Sequence, residues 1–364
     1  MKVFVFWPKR CEVIIQSGFR GGSFRVMSKV ITFVADEKIS ALSAVLNPIE
    51  LRNHLRPVLP SEWGALQDIE LQVLKHHRGK RCAIEITLQT TSGKHELIGK
   101  VYAVDRSDVF RVMKRLARSG FGPEDEYSIP QPLAYLPSTC LLVYEKAQGP
   151  RAKDVFLASN DQSRTIAAKR CALWLARFHA TEPQSELRVT LTEQLNSMEG
   201  CARQIAHSIY PFEAKASRLY KQLKAEALAL AGVEACAGHG SYSSDQVVLA
   251  EGHTVTIDWD GYDVSDPARD VARFIIELRR LALSRLGSIR ALDAAAEVFL
   301  QTYLGSSRFE VMSKIPYYEA ATCLKATGRL VQRQSHHWYK KAEALLNEGL
   351  RVLEREVDEN KSAA

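Results

Sequence analysis

The hydrophobic period of the chain changes at Gly149-Pro150, and that change limits the fold more than any single residue. Before it the pattern is that of strands. Cys82, Ile84, Ile86 and Leu88 alternate with Ala83, Glu85 and Thr87, the period of two that marks a half-buried strand. Residues 68–74 form a candidate strand before this one. Residues 95–103 form another after it, with Lys100 near its end and Thr91-Ser92-Gly93 as the turn. A basic turn, His76-His77-Arg78-Gly79-Lys80, joins the first two. Residues 40–56 suit one or two short helices around Pro48. Residues 106–119 place Val109, Val112, Met113 and Leu116 on one helical face, and Leu141–Glu145 reads as a buried strand. After Gly149-Pro150 the period becomes helical. Residues 163–180 set Ile166, Ala167, Cys171, Trp174 and Phe178 on one stripe. Further helices are expected through about 190–232, then a short β island at 246–258. Asp266-Pro267 opens another helix, with Asp as N-cap and Pro at the first helical position. It buries Val271, Phe274, Ile275, Leu278 and Leu281. The last helix, about 335–357, carries Trp338, Ala342, Leu345, Leu346 and Leu353. The expectation is an α+β chain. Residues 27–148 form a small antiparallel β lobe, 149–358 a larger helical lobe and 359–364 a tail, with the cleft between lobes as the place for a ligand.

Composition excludes several classes. Of 364 residues, 46% are hydrophobic and 25% charged, which is globular rather than disordered. No apolar run approaches the roughly 20 residues of a membrane helix. The opening MKVFVFW breaks at Pro8, short of a signal-peptide core. A cytoplasmic protein with no membrane partner is expected. Seven scattered cysteines without a C-x-x-C pair argue for reduced thiols and against a zinc ribbon. The net charge of +7 and pI near 9 invite a nucleic-acid reading. However, Lys2, Lys9, Arg10, Arg20 and Arg25 against Glu12 put +4 of that charge in residues 1–26, read as an extension outside the fold, with Met27 as an alternative start. No nucleic-acid-binding signature accompanies the charge, so no nucleic-acid partner is expected.

The most informative stretch is 238–270, GHGSYSSDQVVLAEGHTVTIDWDGYDVSDPARD. Residues 246–250 and 254–258 read as a hairpin around Glu251-Gly252-His253. Simple pairing sets 250 against 254 and 246 against 258, so Gln246 and Asp258 lie side by side, roughly 5 Å apart; a bulge would slip this by one residue. Asp260 points the same way if the strand continues. His239-Gly240-Ser241 and Asp245 crowd the same end. Carboxylates with an amide oxygen form a hard-oxygen set suited to Mg²⁺. The competing reading is that Asp258 and Asp260 merely end a strand and Asp266 merely caps a helix.

The stretch resembles the aminoglycoside phosphotransferase family, which is similar in fold to choline kinases and protein kinases. That family's H-G-D-x-x-x-x-N, I-D-x-D/E and D-P-x-x-D pieces correspond to HGSYSSDQ (239–246), IDWD (257–260) and DPARD (266–270). The resemblance extends to Lys100, to WLARFHAT (174–181) and to the C-terminal helices, covering about 70–358. It implies a two-lobed protein kinase-like fold that uses ATP and Mg²⁺. In that frame Lys100 holds the α/β-phosphates, and the turn at Gly79, with Arg78, Lys80 and Arg81, covers the phosphates. The hinge at 143–146, including Glu145, faces adenine. Asp258 and Gln246 bind the metal, and Asp270 braces the catalytic loop. Two departures stand out. Ser241 occupies the position of the catalytic Asp, leaving Asp245 as a candidate substitute. The helix at 106–119 holds Asp108 but no Glu to pair with Lys100.

The implied function is ATP- and Mg²⁺-dependent transfer of phosphate to a hydroxyl of a small molecule. The alternative is a pseudokinase-like nucleotide-binding module with little or no turnover, motivated by Ser241. His239 is read as a packed loop residue rather than a base, and Tyr102, Trp259, Tyr262, Tyr317 and Tyr318 as candidates to line a substrate cleft, most of them expected in the core instead. Residues 185–235 would shape the acceptor pocket. Glu186, Glu193, Glu199 and Glu213 there would either meet a cationic acceptor or form solvated helix faces.

Overall fold

The computed structural model describes residues 36–183, 187–208, 210–230, 234–334 and 337–363. Residues 1–26, Met27 and Glu186 therefore lie outside the described residues. In chain order the elements are α1 (Leu42–Leu46), α2 (Pro48–Leu55), β1 (Leu66–His77), β2 (Arg81–Thr90), β3 (Gly93–Tyr102), α3 (Ser107–Arg118), β4 (Tyr127–Ser128), β5 (Pro132–Leu136) and β6 (Leu141–Glu145). They continue with α4 (Ala152–Ala158), α5 (Asp161–His179), α6 (Leu191–Ser208), α7 (Tyr210–Glu226), β7 (Cys236–Gly238), β8 (Val247–Leu249), β9 (Thr254–Thr256), β10 (Asp263–Ser265), α8 (Pro267–Arg285), α9 (Asp293–Ser306), α10 (Ile315–Arg333) and α11 (Trp338–Ala363).

One five-stranded sheet has the order β1-β2-β3-β6-β5, with β1 and β2 antiparallel. The chain divides into two compact units. The first holds the described residues up to His95, Gly99–Asp105 and Leu136–Leu141; the second holds Glu96–Ile98, Arg106–Tyr135 and the chain from Leu142 onward.

In the first unit the alternation of β2 decides the core: Cys82, Ile84, Ile86 and Leu88 are all fully buried. On β3, Leu97 and Val101 are buried, and a Cβ on Gly99 would lie 2.9 Å from Ile84. Period two then puts Lys100 on the opposite face with Tyr102. Leu42, Val45, Leu51 and Leu55 of α1 and α2 are buried, while Ile49 is exposed.

The second unit is built on an aromatic cluster in which Trp174 stacks against Phe178 and Tyr242 and approaches Phe121 and Trp259. The stripe expected on α5 holds at Ala167, Cys171, Trp174 and Phe178. Ile166 is instead exposed, because Ala168, Ala172 and Leu175 carry the buried face one residue further round. Asp266 caps α8, its Oδ1 accepting from the amide of Ala268 at 2.9 Å. Val271, Phe274, Ile275 and Leu278 are buried, and Leu281 is half-buried. Ala342, Leu345, Leu346 and Leu353 of α11 are buried as expected, with Trp338 half-buried. Trp259, Tyr262, Tyr317 and Tyr318 are all core residues. No described helix is long and apolar enough to cross a membrane.

Candidate active site

The loop between β7 and β8 is held from below. β7 pairs antiparallel with β10, Gly238 opposite Asp263. Beyond it Gly240 has φ +72°, and a Cβ there would meet the carbonyl oxygen of Gly261 at 2.1 Å, so only glycine fits. Asp270, in the first turn of α8, is 1% exposed and accepts hydrogen bonds from the backbone amides of His239 (2.6 Å) and Gly240 (3.0 Å). The expected brace is therefore present in the geometry. Arg269 grips Asp263 with two parallel bonds, 2.7 and 2.5 Å. His179, at the end of α5, places Nε2 3.7 Å from Asp270, while its Nδ1 meets the Tyr303 hydroxyl at 2.8 Å. Burial alone would raise the Asp270 carboxyl, but His179, the Arg269 guanidinium and His239 hold it well below the usual carboxylate range.

His239 is fully buried, with its ring edge-on to Trp259. Its Nε2 lies 3.0 Å from the carbonyl oxygen of Ile257, which can only accept, so Nε2 carries the proton. Nδ1 is then an acceptor, and the Ser241 hydroxyl donates to it at 3.2 Å. Burial lowers the proton affinity of the ring, keeping it neutral despite the Asp270 carboxylate nearby. Tyr242 fixes the next position, its hydroxyl donating to the carbonyl of Cys171 at 2.7 Å.

The hairpin register differs from simple pairing by one residue. Val247 faces Thr256 and Leu249 faces Thr254, so Gln246 stands against Ile257, whose amide donates to the Gln246 carbonyl at 2.8 Å. The side chains of Gln246 and Asp258 nonetheless meet, Nε2 donating to Oδ2 at 3.2 Å. The strand does not continue to Asp260. Asp258 takes the left-handed conformation, φ +68°, and Trp259–Gly261 forms a 3₁₀ turn, which turns Asp260 out of the strand direction. Asp245 places its carboxylate on Lys153 and on Arg151, whose guanidinium lies 3.3 Å away. Burial raises its carboxyl, but the two cations win and hold it below its ordinary value.

An amide and a carboxylate in contact fit a divalent cation of the Mg²⁺ type. Rotating the Gln246 amide would offer its oxygen beside Asp258, so these two residues would hold such a cation through hard oxygen donors. Among the described residues no group of three or more His, Cys, Asp or Glu is placed to hold a metal alone.

In the first unit, Lys100 is 6% exposed. Gly79 sits in the β1–β2 turn with φ +68°, flanked by exposed Arg78 and Lys80 and half-buried Arg81. The turn is clasped by a residue sequence reasoning missed. Asp36 Oδ2 accepts from the Gly79 amide and meets His76 Nε2, both at 2.8 Å. Only its distant place in the chain hid it. In the second unit, Glu145 ends β6 exposed, its amide bonded to the Gln131 carbonyl at 3.0 Å. Asp108 takes the Arg106 guanidinium at 3.0 Å. Glu193 closes a capping box with Thr190 at the start of α6, a pattern legible as Thr-x-x-Glu.

A buried-lysine strand, then an Asp-braced loop followed by a hairpin, is the chain order of the protein kinase-like fold, and solved structures agree. A choline/ethanolamine kinase family protein from Mesorhizobium loti aligns over 84% of this chain and 94% of its own at 13% identity, TM-score 0.54. A putative aminoglycoside phosphotransferase from Ralstonia eutropha aligns over 84% and 97% at 14% identity, TM-score 0.57. A thermostable mutant of the aminoglycoside phosphotransferase APH(4)-Ia, solved with ADP and hygromycin B, aligns over 83% and 98% at 14% identity, TM-score 0.55. The phosphotransferase enzyme family (APH) model matches residues 92–313, and the chain belongs to that family. No curated protein matches it in sequence.

Proposed function

We propose that the protein is an ATP- and Mg²⁺-dependent phosphotransferase acting on a hydroxyl of a small molecule. The observation that carries this reading is the Gln246–Asp258 contact beside a loop whose amides are fixed by Asp270. Gln246 and Asp258 hold the metal, which neutralises charge on the transferring phosphates. Lys100 holds the α/β-phosphates, and Gly79 and Arg81 belong to the turn that covers them. Glu145 lies in the hinge that faces adenine. Ser241 takes the position at which the acceptor hydroxyl is oriented. Asp245, committed to Lys153 and Arg151, anchors the loop's far end. The ADP-bound aminoglycoside phosphotransferase of the same fold supports nucleotide as the donor.

Ser241 favours a second reading, a nucleotide-binding module without turnover. Isothermal titration with ATP, with and without Mg²⁺, tests the shared premise; absence of binding would count against both. ATP consumption across small alcohols, sugars and aminoglycosides then separates them. A wild type that binds nucleotide yet stays inert with all acceptors, while Ser241→Asp turns over, supports the module.

A further inference from the structure

We infer that Ser241 and His239 together replace the missing carboxylate base: the acceptor's proton passes to Ser241 Oγ as the serine's own proton passes to His239 Nδ1. This rests on the phosphotransferase reading above. A serine hydroxyl alone has no useful basicity near neutral pH, so the position needs a second group to take the proton. The structure supplies one. The Ile257 carbonyl fixes the histidine tautomer, and the acceptor nitrogen that remains meets Ser241 Oγ at 3.2 Å. Donating its only proton there leaves both serine lone pairs for an incoming hydroxyl.

The ring has no rotational freedom to lose this geometry, being fully buried and packed edge-on to Trp259 and Tyr242. Burial opposes the imidazolium that forms. The Asp270 carboxylate, bonded to the amide of His239 itself, favours it. In the balanced step, a new bond forms between the acceptor oxygen and the γ-phosphorus. The bond from that phosphorus to the β–γ bridging oxygen breaks, and ADP leaves with the electron pair. The serine's proton ends on Nδ1 and the acceptor's on Oγ; once products depart, Nδ1 returns its proton to Oγ and Oγ gives one up to solvent water. Ser241 is the residue that touches the acceptor; His239 acts through it.

Because the acceptor is unidentified, the probe is MgATP with water as the acceptor, measured as phosphate release from the full chain. Wild type should turn over. Ser241→Ala should lose roughly a hundredfold, within the range of one positioned base, with ATP affinity unchanged. His239→Gln, which keeps a donor toward Ile257, should lose a similar factor in the Ser241 background and little in a Ser241→Asp background, where a carboxylate takes the proton. A structural role for His239 would instead lower both backgrounds equally and overturn the relay. Where His239→Gln fails to fold, ¹⁵N-histidine NMR of wild type serves. It should show Nε2 protonated and an Nδ1 resonance that moves in Ser241→Ala; an Nδ1-protonated ring overturns the relay. Wild type that binds ATP without hydrolysing it, beside an active Ser241→Asp, also overturns it and supports the module; wild-type hydrolysis that Ser241→Ala leaves unchanged overturns the relay alone and leaves the phosphotransferase reading standing. Failure of every variant to bind ATP removes that reading as well.

Discussion

Asp270 Oδ2 lies 2.6 Å from the backbone nitrogen of His239, so a buried carboxylate on one helix sets the path of a loop thirty-one residues earlier in the chain. Hydrogen bonds to a charged, buried acceptor are among the stronger ones, and removing the charge leaves amides poorly satisfied. Asp270→Asn should cost about 2–4 kcal/mol. The carboxyl is depressed in the folded state, so its contribution is complete above the unfolded value near pH 4 and is lost as pH falls through the folded one. Urea denaturation at pH 7 and pH 3.5 should therefore show a smaller gap between wild type and Asp270→Asn at the lower pH.

Two glycines separate backbone strain from collision. Gly240 and Gly252 have nearly equal φ, +72° and +71°, but a Cβ on Gly252 meets nothing within 4 Å while one on Gly240 meets a carbonyl oxygen at 2.1 Å. Gly252→Ala should cost about 1 kcal/mol from left-handed backbone alone. Gly240→Ala must also displace Gly261 and should cost at least twice that, read as a drop in denaturation midpoint at constant m-value.

A buried ion-pair network ties the C-terminal helices together. Arg279 of α8 reaches Asp293 of α9 (3.2 Å), Glu319 of α10 (3.1 Å) and Glu348 of α11 (3.2 Å). Burial raises the Glu319 carboxyl even with Arg279 opposing it. Arg279→Met strands that carboxylate and should cost about 3–5 kcal/mol. Adding Glu319→Met should recover part of the loss, because the charge left unpaired is then gone. A double-mutant cycle by thermal denaturation measures the recovery.

The elements that rest on local pattern were legible in the sequence. The alternation at Cys82, Ile84, Ile86 and Leu88 is read out residue for residue in the burial of β2, β6 has the expected ends, and Asp266 caps α8. What was not legible depends on backbone detail or on distance. The left-handed Asp258 and the 3₁₀ turn after it break the strand before Asp260. The hairpin slips by one residue, yet the side chains of Gln246 and Asp258 still reach each other. Asp36 clasps a turn more than forty residues away, which no periodicity signals. The Ser241–His239 bond depends on the orientation of the His239 ring, which packing against Trp259 and Tyr242 fixes, so the motif named the residues without showing that they touch.

The nucleotide assignments make the sharpest prediction about binding. Any ligand that favours the folded state raises stability by mass action, about 2.7 kcal/mol at a hundred times its Kd. With ATP alone, Lys100→Met should shrink the thermal shift, because a buried cation no longer meets the phosphates. Asp258→Ala should act differently, leaving the shift with ATP alone and removing most of the increment that Mg²⁺ adds. Gln246→Asn keeps the amide and should retain part of that increment; Gln246→Leu should not. Paired thermal scans with ATP, ADP and each nucleotide plus Mg²⁺ measure all four variants. An Asp258→Ala protein that responds to Mg²⁺ as wild type does would remove Asp258 from the metal site, whereas equal loss in Lys100→Met with and without Mg²⁺ would place the lysine on phosphate rather than on metal-bound oxygen.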